Sequence, residues 1–285
     1  MKVLFISDFN LKHNSGGAQV SNDAIIKKGL DLGYEITLHN YDSSSINLIY
    51  NYDILISSNL ELISQTSKYL FDFILNHPNH IRLEHDSCSY LNREDKKALF
   101  ESSKINCFLS EFHLNFFQQE CGDIFGQTAI IYDPIDHSVF YNNNSDRIYD
   151  VVYCGFLHKL KGVYNLINFS KENPNRNIDI FGWSQNDKIV DEILMLPNVR
   201  IHKKLHHQEI ADIFRKSKYI FHSPEVNEPF CRMVAEAMLC GCKFIGNESK
   251  IGSIQEFRKY GVEKFAQKCD NAATIFWKTV KNSYE

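Results

Sequence analysis

The chain has 285 residues and a mass of 33.2 kDa, too long for one small module and suited to two domains of ordinary size. Hydrophobic residues make up 44% and charged residues 23%, which excludes a disordered or collagen-like chain, and no apolar run approaches the ~18 residues of a membrane span. A net charge of -4 hides an asymmetry: residues 1–145 carry 10 Lys and Arg against 18 Asp and Glu, residues 146–285 carry 21 against 17, so there is no overall nucleic-acid footprint and an anionic ligand is expected to lean on the second half.

Short apolar runs alternate with amphipathic stretches, the signature of an α/β fold with largely parallel sheets. In the first half strands are expected at 2–7, 35–40, 53–58, 81–85, 106–110 and 128–132, with helices near 18–32, 60–76, 92–103 and 111–120. The second half restarts with a strand at 150–156, followed by strands at 177–182, 199–202, 218–223 and 243–246. Its helices are expected near 161–171, 186–195, 207–216, 230–240 and 252–260. Residues 264–281 carry apolar side chains at helical spacing and read as a terminal helix. The polar, turn-prone tract from Asn142 to Asp146 marks a linker. The expected division is an N-terminal Rossmann-like domain over 1–141, a linker over 142–149, a C-terminal Rossmann-like domain over 150–263 and a terminal helix over 264–285. Two doubly wound domains facing a cleft would place a ligand at strand carboxyl ends and helix N-termini.

Asp8 interrupts the first apolar stretch too early for a secretory leader, and the eight cysteines form no paired CxxC frame. A reduced, cytoplasmic protein without a zinc or disulfide framework is the expectation.

Four segments carry candidate chemistry. Ser15-Gly16-Gly17 lies between a strand and a helix, where glycines and free N–H groups suit an anion, or serve only as a tight turn. His85 in Glu84-His85-Asp86 ends a strand and could meet a hydroxyl or a phosphate; otherwise it is a satisfied strand-end histidine. Lys159-Leu160-Lys161-Gly162 precedes a helix, where a lysine charge suits a diphosphate or is merely solvated. In the run from Ser223 to Gly241, a loop carries Glu228, Pro229 suits a first helical turn, and Glu236 lies about two turns along. Two carboxylates eight positions apart could hold hydroxyls at two points of an extended ligand, and the N–H groups of Phe230, Cys231 and Arg232 could take its phosphates.

This last constellation resembles the retaining GT-B glycosyltransferases of family 4, the glycosyl transferases group 1 type, whose hallmark is Glu-x7-Glu. Glu228 and Glu236 match that spacing, and the string SPEVNEPFCRMVAEAMLCG follows the family's Pro-Ser…Glu-x-Phe-Gly…Glu-Ala-Met-x-x-Gly run. In the family's order, Ser15-Gly16-Gly17 matches its first glycine loop, His85-Asp86 a strand-end His, Asp133-Pro134-Ile135-Asp136 with Phe140 the segment closing the first domain, and Gly155…Lys161-Gly162 the Gly-Arg-Leu-x-x-x-Lys-Gly loop. Phe156 stands where that loop has Arg, and Cys231 where the family commonly has Gly.

The resemblance implies a metal-independent, retaining hexosyltransferase using a nucleotide-diphosphate sugar, a UDP- or GDP-sugar, with no cofactor. Glu228, His85 and Lys161 would be catalytic: Glu228 on the donor sugar, Lys161 on the leaving diphosphate, His85 on the sugar or the acceptor hydroxyl. Gly16, Gly17, Lys159, Phe230, Cys231, Arg232 and Glu236 would bind the donor, with Glu236 on the ribose hydroxyls. The expected acceptor is a saccharide or lipid-linked saccharide. A hydroxymethylated base in DNA is the alternative and predicts salt-sensitive duplex binding. A nucleotide-sugar-binding pseudoenzyme and an epimerase or phosphorylase on the same fold are the remaining readings.

Overall fold

The computed structural model describes residues 1–9, 16–41, 51–87, 91–122 and 126–284. It forms two units, one of residues 1–134 with 270–285 and one of residues 135–269. Ser15 lies outside the described residues.

The first unit runs β1 (Lys2–Ile6), α1 (Gly17–Asp31), β2 (Glu35–His39), β3 (Ile54–Ser58), α2 (Glu61–Thr66), α3 (Lys68–Leu75), β4 (His80–Leu83), α4 (Arg93–Ser102), β5 (Ile105–Phe108), α5 (Glu111–Cys121) and β6 (Gln127–Ile130). All pairings are parallel, in the order β2-β1-β3-β4-β5-β6. Alternation along β1 divides its core: Val3 and Phe5 pack with Ile25, Ile56 and Ile81 on one face, Leu4 and Ile6 with Leu55, Ile63 and Ile74 on the other.

The second unit runs β7 (Tyr149–Phe156), α6 (Val163–Glu172), β8 (Ile178–Trp183), α7 (Asp187–Leu194), β9 (Val199–His202), α8 (His207–Arg215), β10 (Ser217–His222), α9 (Arg232–Leu239), β11 (Lys243–Gly246) and α10 (Gly252–Asp270). Its parallel sheet has the order β11-β10-β7-β8-β9. The chain first winds outward from β7 through β8 to β9, then returns to the other side of β7 with β10. The reversal puts a topological switch point between β7 and β10, outside whose carboxyl ends doubly wound sheets bind ligands.

The two parallel α/β sheets match the expected fold class. Several element boundaries differ for identifiable reasons. The helix expected over 60–76 breaks at Ser67, whose side chain accepts from Leu70 N and caps α3. The helix expected to end at 260 continues to Asp270 through a break at Gly261, which takes φ 74°. The single helix expected over 264–281 is two: α10 ends at Asp270, and α11 (Ala272–Tyr284) joins the first unit. There Phe276, Trp277 and Val280 enter the core beside Ile25, and Trp277 Nε1 donates to Ile25 O at 2.7 Å.

The segment 142–149 was expected to link domains and instead lies inside the second unit. Arg147 pins it there. Its Nη1 donates to Phe214 O and Ser217 O, and its Nη2 to Asn142 Oδ1 and Cys240 O.

Candidate active site

The second unit's candidate residues converge at the β7/β10 switch point. After β7, the turn of Lys159–Lys161 leads into Gly162, which takes φ 80° and caps α6. A side chain is excluded at Gly162, because a Cβ there would lie 1.9 Å from Ser223 O, just past β10. This close approach brings the lysine turn against the loop that follows β10, and Glu225 N donates to Leu160 O at 3.0 Å to hold the two together. Gly162→Ala is expected to cost about 1–3 kcal/mol, from both left-handed backbone and overlap. Urea unfolding checks it; an unchanged midpoint would mean the loops move apart freely.

The β10 loop is fixed at its far end by α10. Glu228 forms a parallel bridge with Ile251, through Glu228 N to Lys250 O (2.8 Å) and Gly252 N to Glu228 O (3.0 Å). Ser253 N donates to Phe230 O at 2.9 Å, and the buried Phe230 ring stacks on Phe265. These ties hold Pro229 and Phe230 out of the helix, so the helix expected over 230–240 begins only at Arg232 and Pro229 is not in its first turn. Cys231 is the residue before α9 and takes φ 70°, ψ 77°, a left-handed conformation that glycine adopts without cost.

Lys161 and Glu228 meet here from 67 positions apart: Lys161 Nζ donates to Glu228 Oε1 at 2.8 Å. His222 Nε2 lies 3.3 Å from the same oxygen. Glu228 is 8% exposed. Burial alone would raise its carboxyl, but the His222 hydrogen bond and the Lys161 charge outweigh it and pull the group down to about 2. Glu236 is buried, not a surface charge, and pairs with Arg232 at 3.1 Å along α9. Lys159 is exposed on the lysine turn. His222 escaped the sequence reading, although it is the last residue of β10. Its importance depends on β10 lying beside β7, which no local pattern announces. Nor did the spacing disclose a metal-ligand cluster, whereas ligand atoms of His222, Glu228 and Cys231 lie within 4.8 Å of one another.

In the first unit, Gly16 precedes α1 in extended backbone (φ -69°, ψ 165°) and Gly17 opens the helix, so neither uses the positive φ open to glycine. His85 follows β4 and is buried, its Nε2 2.9 Å from Asn22 Oδ1. Around it, Asn22 Nδ2 donates to Ser58 Oγ, and Asn59 Nδ2 to Asp86 Oδ2 at 2.8 Å. Asp8 accepts from Leu62 N and Ile63 N at the start of α2. Arg82 and Glu84 form a buried pair at 2.6 Å. Glu61 stands beside this group with Oε1 buried and without a hydrogen-bond partner among the described residues. Burial, and then the charges of Glu84 and Asp86, push its carboxyl up to about 8.

Residues 138–278 match the family model described as Glycosyl transferases group 1. No curated protein matches the chain. Among solved structures it is similar to Anabaena Alr3699/HepE in complex with UDP-glucose, with 16% identity, a TM-score of 0.69, and coverage of 100% of this chain and 96% of that one. It is similar to the sucrose-phosphate synthase (tll1590) from Thermosynechococcus elongatus, with 12% identity, a TM-score of 0.70 and coverage of 98% and 96%. WaaG, a glycosyltransferase involved in lipopolysaccharide biosynthesis, is 12% identical with a TM-score of 0.60 and coverage of 100% and 94%. Among the described residues no helix is long and apolar enough to cross a membrane. Residues 138–278, most of them in the second unit, are therefore similar to the Glycosyl transferases group 1 family, in a chain whose two parallel α/β units have the fold of GT-B glycosyltransferases.

Proposed function

We propose that the protein transfers a sugar from a nucleotide-diphosphate sugar to an acceptor hydroxyl, with retention at the anomeric carbon. The observation that carries the reading is the Lys161–Glu228–His222 cluster at the β7/β10 switch point, with Glu236 one helix turn beyond Arg232. Glu228, held as a carboxylate, accepts hydrogen bonds from the donor sugar. Lys161 turns from Glu228 to the diphosphate and stabilises the charge that builds as the glycosidic C–O bond breaks. Glu236 holds the ribose hydroxyls, Arg232 keeps its carboxylate in place, and backbone N–H groups at the start of α9 face the phosphates. With this cationic group on the leaving diphosphate, transfer requires no metal. The donor base proposed is uracil, which the HepE complex carries. The acceptor proposed is a saccharide or lipid-linked saccharide, served by the first unit with His85 orienting the hydroxyl.

A thermal-shift comparison of UDP, GDP and their glucose and mannose conjugates tests the donor reading. A ligand at 100 times its Kd stabilises the fold by about 2.7 kcal/mol. The expected result is a rise with UDP and its sugar conjugate that Lys161→Met diminishes. No rise with any of them would return Lys161, Glu228 and Glu236 to a structural role.

A further inference from the structure

We propose that His222, Glu228 and Cys231 form a reversible binding site for a divalent cation of the zinc class. Three observations lead there. One imidazole nitrogen, one carboxylate oxygen and the thiol sulfur, a donor set suited to zinc, lie within 4.8 Å of one another. Ligand atoms around a tetrahedral zinc stand about 3.5 Å apart, so a small contraction closes the site. Next, His222 is 2% exposed and its Nδ1 is buried with no hydrogen-bond partner among the described residues. Its Nε2 lies 3.3 Å from Glu228 Oε1, so Nδ1 is free to take the ring proton and leave Nε2 to a cation shared with the carboxylate. Finally, Cys231 takes a left-handed backbone where glycine would be at ease, and in that position its thiol lies beside the carboxylate.

The ion has a way in and a group to displace. Cys231 is partly exposed, and Lys161, whose side chain is 46% exposed, can release Glu228 Oε1 and turn to solvent. The thiol gives its proton to solvent as the metal–sulfur bond forms, the proton that His222 Nε2 donates to Glu228 moves to Nδ1 and frees the Nε2 lone pair for the ion, and the carboxylate binds through a lone pair it already has. An ion so held takes Glu228 away from the donor sugar. That inhibitory consequence rests on the transferase reading; the binding itself does not.

The test uses untagged full-length protein. Zn2+ is titrated in competition with a chromophoric chelator, and Co2+ is titrated while its thiolate charge-transfer absorption is followed. Wild type is expected to bind one ion with that absorption, and to protect Cys231 from iodoacetamide, read by peptide mass. Cys231→Gly relieves the left-handed strain and is expected to be at least as stable, yet to lose at least about 100-fold in affinity together with the absorption. Cys231→Ser, which keeps the side-chain shape, should lose the absorption too. Equal Zn2+ affinity in wild type and Cys231→Gly, or an alkylation rate at Cys231 unaffected by Zn2+, would overturn the site. A site that binds Zn2+ through Cys231 in a protein inert toward every nucleotide sugar would refute the transferase reading and leave the metal site standing.

Discussion

Glu228→Gln is expected to lower turnover at least about 100-fold while leaving the fold intact. The amide keeps the volume of the side chain and offers Lys161 and His222 an oxygen, so the loops after β7 and β10 stay joined. What disappears is the negative charge that the cluster is built to maintain. Lys161 stands 2.8 Å and His222 3.3 Å from one oxygen, and together they hold the carboxyl at about 2 despite its burial. Turnover and circular dichroism measured together check this; turnover within about twofold of wild type would remove Glu228 from the chemistry. The same substitution has a signature in acid. A carboxyl whose folded value is pulled below its ordinary 4.5 contributes stability that is present above that value and is lost as pH falls through about 2. For Glu228 the contribution is on the order of 3 kcal/mol, and the acid limb of the stability curve should flatten in the Gln variant.

Glu61→Gln carries the opposite sign. In the folded chain burial and two neighbouring carboxylates keep Glu61 protonated up to about 8, whereas the unfolded chain ionises it near its ordinary 4.5. Between those values the folded state binds more protons, so stability falls as pH rises, and beyond them the loss levels off. The shift corresponds to a penalty on the order of 5 kcal/mol at its ceiling. Gln has no proton to release, and its amide can donate where the protonated carboxyl does. The variant should match wild type near pH 4 and exceed it by a few kcal/mol near pH 9. Urea unfolding across that range is the measurement; parallel curves for the two proteins would mean that Glu61 ionises freely in the folded state.

Much of this architecture is legible in the chain. Strands such as β1 and β3 are buried on both faces, so their apolar runs are continuous and stand out from amphipathic neighbours. The Glu228–Glu236 pair is legible because both carboxylates fall in one short string, a loop that runs into α9. Lys161 beside Glu228 is not, because their meeting depends on β10 returning to the side of β7 and on Gly162 letting two backbones touch. His222 is hidden for the same reason. Breaks at Ser67 and at Asn271 were missed because apolar periodicity runs on through both, and the structure stops each helix by local capping or by passing the chain to another unit. The spacing of Phe276 and Val280 announces a helix but cannot say which core will take it.

The return of α11 to the first unit has a consequence for the order of synthesis. The second unit is continuous in sequence and has all its residues once Cys269 is made, whereas the first lacks Phe276, Trp277 and Val280 until α11 follows. A nascent chain must hold an unfinished sheet of apolar strands, including Val3, Phe5 and Ile54, through the translation of a complete second unit. The first unit is thus begun before the second and completed after it, and a chain cut after Cys269 would keep every residue of the second unit while leaving the first with an open core.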